Sequence, residues 1–497
     1  MEAVVKVKLM SGPRRVANFI NGDYVDSGKT FESRCPADNS LSAVVSEASS
    51  HDVDRAVDAG RRSLEGEWGA KSIEERAAIL DRISEILIER AAEFADAEIS
   101  DTGKLIGPTL KGEIPRAAQQ FRVFADIARN GLAMRPIASD MPGGRATNYP
   151  ERRPKGVVAA ICPWNLPLVL STWKIAPALA CGNAVVVKPS EETPITASLL
   201  GGVMNDAGLP AGAYNVVNGF GPASAGEFLS THPGVNAITF TGETRTGVAI
   251  MAAAAGGIKA VSLELGGKNA AVIFADCDFE KAVEGTAASV FHNCGQVCLC
   301  TERLYVERPI FERFVEALKA KAESLKPGDP RNPATTLSPL ISRGHREKVL
   351  DYFRSARRDG AKVVTGGAIP PVHDTWRDGA WIEPTIWTGA PESSRIVREE
   401  VFGPVCHIAP FDSDDEAVVL ANATEYGLAA TVWSKDLARA RRTASRIEAG
   451  IVWVNGWMIR DLRSPFGGFK KSGIGREGGE FSLDFYSEIR NVCVNEA

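Results

Sequence analysis

Three thiols crowd one stretch of the chain, Cys294, Cys298 and Cys300 in FHNCGQVCLC. Thiolates are nucleophiles and metal ligands, but no second Cys pair or His pair lies nearby, so no zinc set is assembled and no metal is expected. A free cysteine is commonly a small buried hydrophobe, and its neighbours must decide whether it does chemistry. Upstream, VSLELGGK sets Glu264 between leucines at the end of an apolar run. A carboxyl in such surroundings has raised proton affinity and suits a general base near neutrality; read alone, the stretch favours a solvated strand-end glutamate. In ICPWNLP, Asn165 stands between two prolines that aim it rigidly. Its amide can donate to the oxyanion formed when a thiolate attacks a carbonyl, although a loop Asn satisfying its own backbone is the plain alternative.

Signals for a dinucleotide are spread out. GFGPAS, with Gly221, lacks the third glycine of the usual fingerprint. In VKPSE, Lys188 and Glu191 follow an apolar run and could reach ribose hydroxyls at the sheet edge. FTGETRTG, with Gly242, ends one strand and begins a helix whose N-terminus can face a pyrophosphate.

The elements that must position these residues follow from periodicity. From Gly156 onward, short β-branched runs (VVAAI, AVVVK, YNVV, AITF, VSLEL) alternate with helical stretches, which argues for a parallel sheet flanked by helices. A second set follows: AAVIF, RLYVE, AKVVT, VCHIAPF and GIVWVN, with helices from about Phe279 and Phe311. Two α/β lobes fit this better than one sheet. The Asn21-Gly22 pair between apolar residues predicts an edge hairpin, and Ser72 with Glu75 predicts a capping box opening an amphipathic helix to about Arg90. Residues 136–153, rich in Pro, Gly and Arg, should leave the globule.

Composition bounds the partners. The 497 residues are 44% hydrophobic and 24% charged, an ordinary globular profile. With 57 Lys and Arg against 62 Asp and Glu, the net charge of −5 and the lack of a basic block exclude a broad nucleic-acid footprint. The nine scattered cysteines are no disulfide framework, and MEAVVKVKLM lacks a long apolar signal core, so a cytoplasmic location is expected. The most apolar stretch, 156–187, is broken by Pro163, Asn165, Pro167, Lys174, Pro177 and Asn183, which argues against a membrane span.

Taken together, PWN, KPSE, FTG, LELGGK, GQVC, EEVFGPV and SPFGGFKKSGIGRE, in this order, resemble the NAD(P)-dependent aldehyde dehydrogenase superfamily over essentially the whole chain. The resemblance implies two doubly wound α/β lobes plus a small oligomerisation β-segment. It implies an NAD-binding domain at 1–133 and 151–264, a catalytic domain at 265–450, and oligomerisation segments at 134–150 and 476–497, in a homodimer or homotetramer. It makes Cys298, which alone ends the GQxC motif, the nucleophile, Asn165 the oxyanion holder and Glu264 the hydrolytic base. It gives Ile161, Trp164, Lys188, Glu191, Gly221, Gly242, Leu265, Glu400 and Phe402 to the cofactor, with NAD expected because Glu191 would repel a 2′-phosphate. Lys174 and Glu477 are implied as a proton exit route. One departure is Glu243, where many members carry Ser: an acid should not point at a pyrophosphate.

Within the superfamily, LEGEWG, LSTWK, NAAVIFADCDFEK, GQVCLC and RDLRSPFGG are similar to the branch of 2-aminomuconate and 2-hydroxymuconate semialdehyde dehydrogenases. Such substrates carry a carboxylate opposite the aldehyde, and Arg116 in IPR and Arg460 in RDLR are the implied anchors, since guanidinium binds carboxylate bidentately. The alternatives are a dehydrogenase for an aromatic, aliphatic or betaine aldehyde, with both arginines structural, and an inactive binding protein on the same fold.

Overall fold

The computed structural model describes residues 12–142 and 144–495. The first ten residues, on which the expectation about a signal core rests, lie outside the described residues. Among these no helix is long and apolar enough to cross a membrane.

An eight-stranded sheet organises the first lobe. Its parallel centre runs, in spatial order, Ala260–Glu264, Ala237–Thr241, Val157–Ile161, Ala184–Lys188 and Tyr214–Val216. The three strands at its middle, 237–241, 157–161 and 184–188, are buried at every position, which is why they read as unbroken apolar runs and not as alternation. Each buried Val or Ile contributes roughly 1.5–3 kcal/mol. After Tyr214–Val216 the chain returns to the other side of the first strand, so the order reverses between Val157–Ile161 and Ala237–Thr241. Open α/β sheets hold ligands at the carboxyl ends of such a pair. The hairpin of Asn18–Ile20 and Asp23–Val25 closes the far edge, with Asn21 and Gly22 at φ of 56° and 87°. Ser72 and Glu75 close their capping box at the start of Ile73–Glu89.

The second lobe is a seven-stranded sheet in the order Lys362–Thr365, Thr385–Thr388, Val405–Phe411, Thr301–Glu307, Asn269–Ile273, Ala429–Trp433, Ile451–Val454. Only the first of these pairs antiparallel. Its three middle strands are entered by the segments that hold Cys298, Glu400 with Phe402, and Leu265. Adjacent strand entrances therefore bring those segments side by side, facing the carboxyl ends of the first sheet. Residues 265–268 alone link Ala260–Glu264 of one sheet to Asn269–Ile273 of the other.

Residues 136–153 leave the globule as expected, and do so as strands: Ile137–Met141 and Gly144–Pro154 join Ser487–Asn495 in a three-stranded antiparallel sheet. Ile137, Tyr149, Ile489, Val492 and Val494 are exposed on it. The sequence reading did not foresee a further small sheet of Arg14–Val16, Leu41–Glu47 and Lys29–Arg34.

Candidate active site

The helix Phe279–Phe291 delivers the chain into a turn where Asn293 and Cys294 take left-handed φ of 49° and 55°. Left-handed backbone costs a non-glycine residue about 1–2 kcal/mol, so the turn needs bracing. Ile341 N–H donates to Gln296 Oε1 (2.8 Å), while Gln296 Nε2 donates to the carbonyls of Asn293 (3.2 Å) and Pro339 (3.3 Å). Gly295 is obligatory, because a Cβ there would lie 1.9 Å from the Gly403 carbonyl oxygen. Beyond it, Asn269 Nδ2 donates to the carbonyls of both Cys298 (2.7 Å) and Cys300 (2.8 Å). Cys298 is thus held on a fixed backbone, half-buried, whereas Cys294 and Cys300 are buried.

Asn165 leaves the carboxyl end of Val157–Ile161, just before Pro167 opens the buried helix Pro167–Ala180. Its Nδ2 donates to the Gln296 carbonyl (2.8 Å), and its own carbonyl accepts from Asn293 Nδ2 (3.1 Å). One amide hydrogen is thereby used for orientation; the other remains for an oxygen beside Cys298. The two residues line one cavity.

Glu264 is 3% exposed, and neither carboxyl oxygen has a hydrogen-bond partner among the described residues, so the solvated reading of this residue fails. Burial, then repulsion by Glu477, raises its proton affinity well above the usual carboxylate range, against the pull of Lys174 and Arg460. Burial, then Glu400 and Glu264, pushes the Cys298 thiol up to about 12, with Arg460 opposing. Behind Glu264, Lys174 Nζ donates to Glu477 (2.8 Å) and to Thr239 Oγ1 (3.1 Å), both lysine and glutamate being buried.

A cavity of about 630 Å³ opens between the two sheets. Of the residues read from sequence, Trp164, Asn165, Gly242, Leu265, Cys298, Glu400 and Phe402 line it. Ile161, Lys188, Glu191, Gly221, Glu264, Arg116 and Arg460 lie outside its lining. Ile161 is a buried strand residue registered between Lys188 and Phe240. Lys188 donates to Glu191 (3.2 Å) and to the Pro189 carbonyl (2.9 Å). Its strand is internal to the sheet, because Tyr214–Val216 pairs outside it, so Lys188 emerges at the carboxyl end and not at the sheet edge as expected. In the glycine run, Gly219 is the conformationally demanding member, at φ 151° with Ser224 Oγ 2.8 Å from a Cβ position; around Gly221 there is open space. Glu243 precedes the helix Thr244–Ala255 and is turned toward Arg245 Nη2 (2.9 Å) and Lys348 Nζ (3.9 Å), so its charge is met by two cations at the cavity wall.

The cavity suits a dinucleotide. The buried hydroxyl of Thr244 lies beside Tyr426 at the N-terminus of a twelve-residue helix, and Arg245 and Lys348 stand on the same wall for phosphate charge. At the other end, Glu400 accepts from the Gly267 N–H (2.8 Å), and burial, then Glu302, pushes its carboxyl up to about 8.

Arg116 and Arg460, far apart in sequence, come together. Neither forms a hydrogen bond or ion pair among the described residues, and Arg116 Nε and Arg460 Nη2 are buried without partners. The Arg460 guanidinium stacks on Phe466 (4.0 Å) and Trp173 (4.5 Å). Burial, then the Arg116 charge, holds it at about 10, and Glu264 and Cys298 are near enough to pull the other way. Two adjacent half-buried cations, each with one buried nitrogen left unpartnered, suit an anion.

Several residues of this site were given no role from sequence: Asn269 and Gln296, which brace the cysteine turn, and Lys268, Glu302 and His345, which hold the Glu400–Phe402 segment. Lys268 and Gln296 lie within LELGGK and GQVC, while only charge in an otherwise apolar strand entrance marked Glu302.

A half-buried cysteine and a side-chain amide on the wall of a dinucleotide-sized cleft, with a buried carboxyl of raised proton affinity near the thiol, are the parts that covalent aldehyde oxidation requires. The profile of the aldehyde dehydrogenase family matches residues 24–492, and the chain belongs to that family. It is 57% identical over 97% of its length, and 99% of the relative's, to a 2-hydroxymuconic semialdehyde dehydrogenase of Pseudomonas sp. (strain CF600). It is 55% identical to a 2-aminomuconic 6-semialdehyde dehydrogenase of Pseudomonas sp., covering 97% of this chain and 98% of that one. Among solved structures, an NAD+ complex of aldehyde dehydrogenase from Bacillus cereus superposes with a TM-score of 0.93 at 37% identity, covering 97% of each chain.

Proposed function

We propose that this aldehyde dehydrogenase oxidises, with NAD, a semialdehyde bearing a carboxylate at its far end, of the 2-hydroxymuconate or 2-aminomuconate 6-semialdehyde type that aromatic ring cleavage yields. The observation that carries the substrate class is the pair of guanidinium groups, Arg116 and Arg460, each with a buried nitrogen lacking a partner, the second close enough to Cys298 and Glu264 to feel their charges. A plain aldehyde would leave Arg116 Nε and Arg460 Nη2 buried without a partner.

In this reading Cys298 Sγ attacks the aldehyde carbon, the new C–S bond forming as the carbonyl π pair moves to oxygen. Asn165 Nδ2 donates to that oxygen. The thiol gives its proton to solvent before attack, and the Glu477–Lys174 pair behind Glu264 is the way out for the proton that hydrolysis later delivers to Glu264. NAD, when bound, would supply the hydride acceptor for this oxidation, by which the C–S adduct held at Cys298 becomes a thioester. Glu264 then takes a proton from water, hydroxide adds to the thioester carbon, and the C–S bond breaks to release the acid and restore the thiol. Glu400 and Phe402 would hold the nicotinamide half, Gly242 and the helix after it the phosphates, and Lys188 and Glu191 the adenosine ribose beyond the enclosed cavity.

The first sheet is read as the NAD-binding domain, 1–133 and 151–264; the second as the catalytic domain, 265–450; and the three-stranded sheet, from 134–150 and 476–497, as an oligomerisation segment. Support for the last is the exposed apolar set Ile137, Ile489, Val492 and Val494 on a sheet with a free edge. The protein is read as a homo-oligomer of the cytoplasm. The test of function is a steady-state comparison, following NADH absorbance, of a muconate-type semialdehyde with an uncarboxylated aldehyde of equal length. The carboxylated substrate should win by at least tenfold in kcat/KM; parity refutes the substrate class.

A further inference from the structure

Phe402 is a phenylalanine at a left-handed φ of 61°, on the wall of the cofactor cavity. Its peptide is gripped on both sides. Its N–H donates to Glu302 Oε1 (2.9 Å), and the preceding Val401 N–H donates to the same carboxylate at 3.0 and 3.1 Å. Its carbonyl accepts from His345 Nε2 (2.7 Å), which fixes the ring as the Nε2–H tautomer. His345 and Trp164 pack around the Phe402 ring, with centroids 6.3 and 5.3 Å away. Glu302 is itself ion-paired with Lys268, and the two are 4% and 1% exposed.

Resting on the reading of Glu400 and Phe402 as residues that hold the cofactor, we infer that Glu302, charged and steadied by Lys268, is a positioning residue for the nicotinamide half of NAD. A buried ion pair is a poor device for stability, since an apolar pair of equal volume serves as well or better. What an apolar pair cannot do is accept two consecutive N–H groups and so hold a residue in a backbone conformation its side chain disfavours. Thr301–Glu307 is the strand that Cys298 enters, so one side chain ties the cofactor wall to the backbone of the nucleophile. His345, kept neutral by burial at about 4, completes the grip from the facing helix Arg343–Arg358.

The test compares two double variants that both remove the buried charges. Lys268→Met with Glu302→Gln keeps a carbonyl acceptor for the Phe402 N–H; Lys268→Met with Glu302→Leu keeps none. NAD binding is titrated by protein fluorescence without aldehyde, and KM for NAD and for aldehyde are measured separately. The leucine pair should bind NAD at least tenfold more weakly, with aldehyde KM within twofold of wild type, and the glutamine pair should stay within threefold. Glu400→Leu is run alongside. Normal NAD binding by the leucine pair, with weakened binding by Glu400→Leu, overturns the positioning role alone. Normal binding by both overturns the cofactor reading as well. Hydrogen exchange of the 399–404 peptide in the wild-type protein gives a readout independent of variant folding: slow exchange at Val401 and Phe402 without NAD supports the grip, and fast exchange overturns it.

Discussion

Replacing Arg460 by Met tests the substrate reading most directly. The guanidinium at about 10 lies between two and three powers of ten in proton affinity below an ordinary one. That corresponds to about 3 kcal/mol by which the free protein disfavours the charge. A substrate carboxylate that sits on the pair would relieve this penalty, so its loss should cost about 3 kcal/mol of transition-state binding, roughly a hundredfold in kcat/KM. Methionine keeps the apolar contact with Trp173 and Phe466, which separates charge from packing. The assay is NADH formation with a carboxylated semialdehyde and with a plain aldehyde of equal length. The first should fall about a hundredfold and the second by less than threefold. Because an unpaired buried cation is removed, the variant without substrate should also unfold at a higher temperature than wild type. Equal losses on both aldehydes, or a lower melting temperature with no substrate discrimination, would refute the anchor.

Glu264→Gln should leave the first turnover intact and stall the second, giving a burst of NADH and a thioester on Cys298 visible by mass spectrometry; loss of the burst would move Glu264 to thiol activation. Glu191→Ser removes an acceptor for ribose hydroxyls and frees Lys188 for a 2′-phosphate, so NADP should gain on NAD by about tenfold in kcat/KM, a modest share of the few kcal/mol that like charges cost in a partly dry site; an unchanged ratio counts against that placement. For Glu243→Ser, half-exposed charges are worth about 0.5–1 kcal/mol, so KM for NAD should drop about threefold, and a rise would mean that the acid serves the site through Arg245 and Lys348. Since the Cys298 thiol is pushed up to about 12, the thiolate fraction grows tenfold per pH step across the neutral range. With attack limiting, kcat/KM should climb steadily from pH 6 to 9, and a flat profile would show another step in control.

The parallel strands were legible because sheets covered on both faces admit only apolar residues, and VVAAI, AVVVK and AITF leave no other reading. The hairpin and the Ser72 box were legible because Asn-Gly and Ser-x-x-Glu act through local backbone geometry alone. Strand order was not, since nothing local says that Ala184–Lys188 lies inside the sheet, and Lys188 was misjudged as an edge residue for that reason. The same divide runs through the site. Cys298, Glu264 and Asn165 announce themselves by chemistry set in motifs, whereas Glu302 and His345 gain meaning only when the entrances of neighbouring strands bring them to the two faces of one peptide. Arg116 and Arg460 fall between these cases: their motifs named them, but only the fold brings them together and leaves a buried nitrogen of each without a partner. That arrangement turns two arginines into a demand for an anion, because a charge pair that costs the empty protein stability persists only where a ligand offsets it.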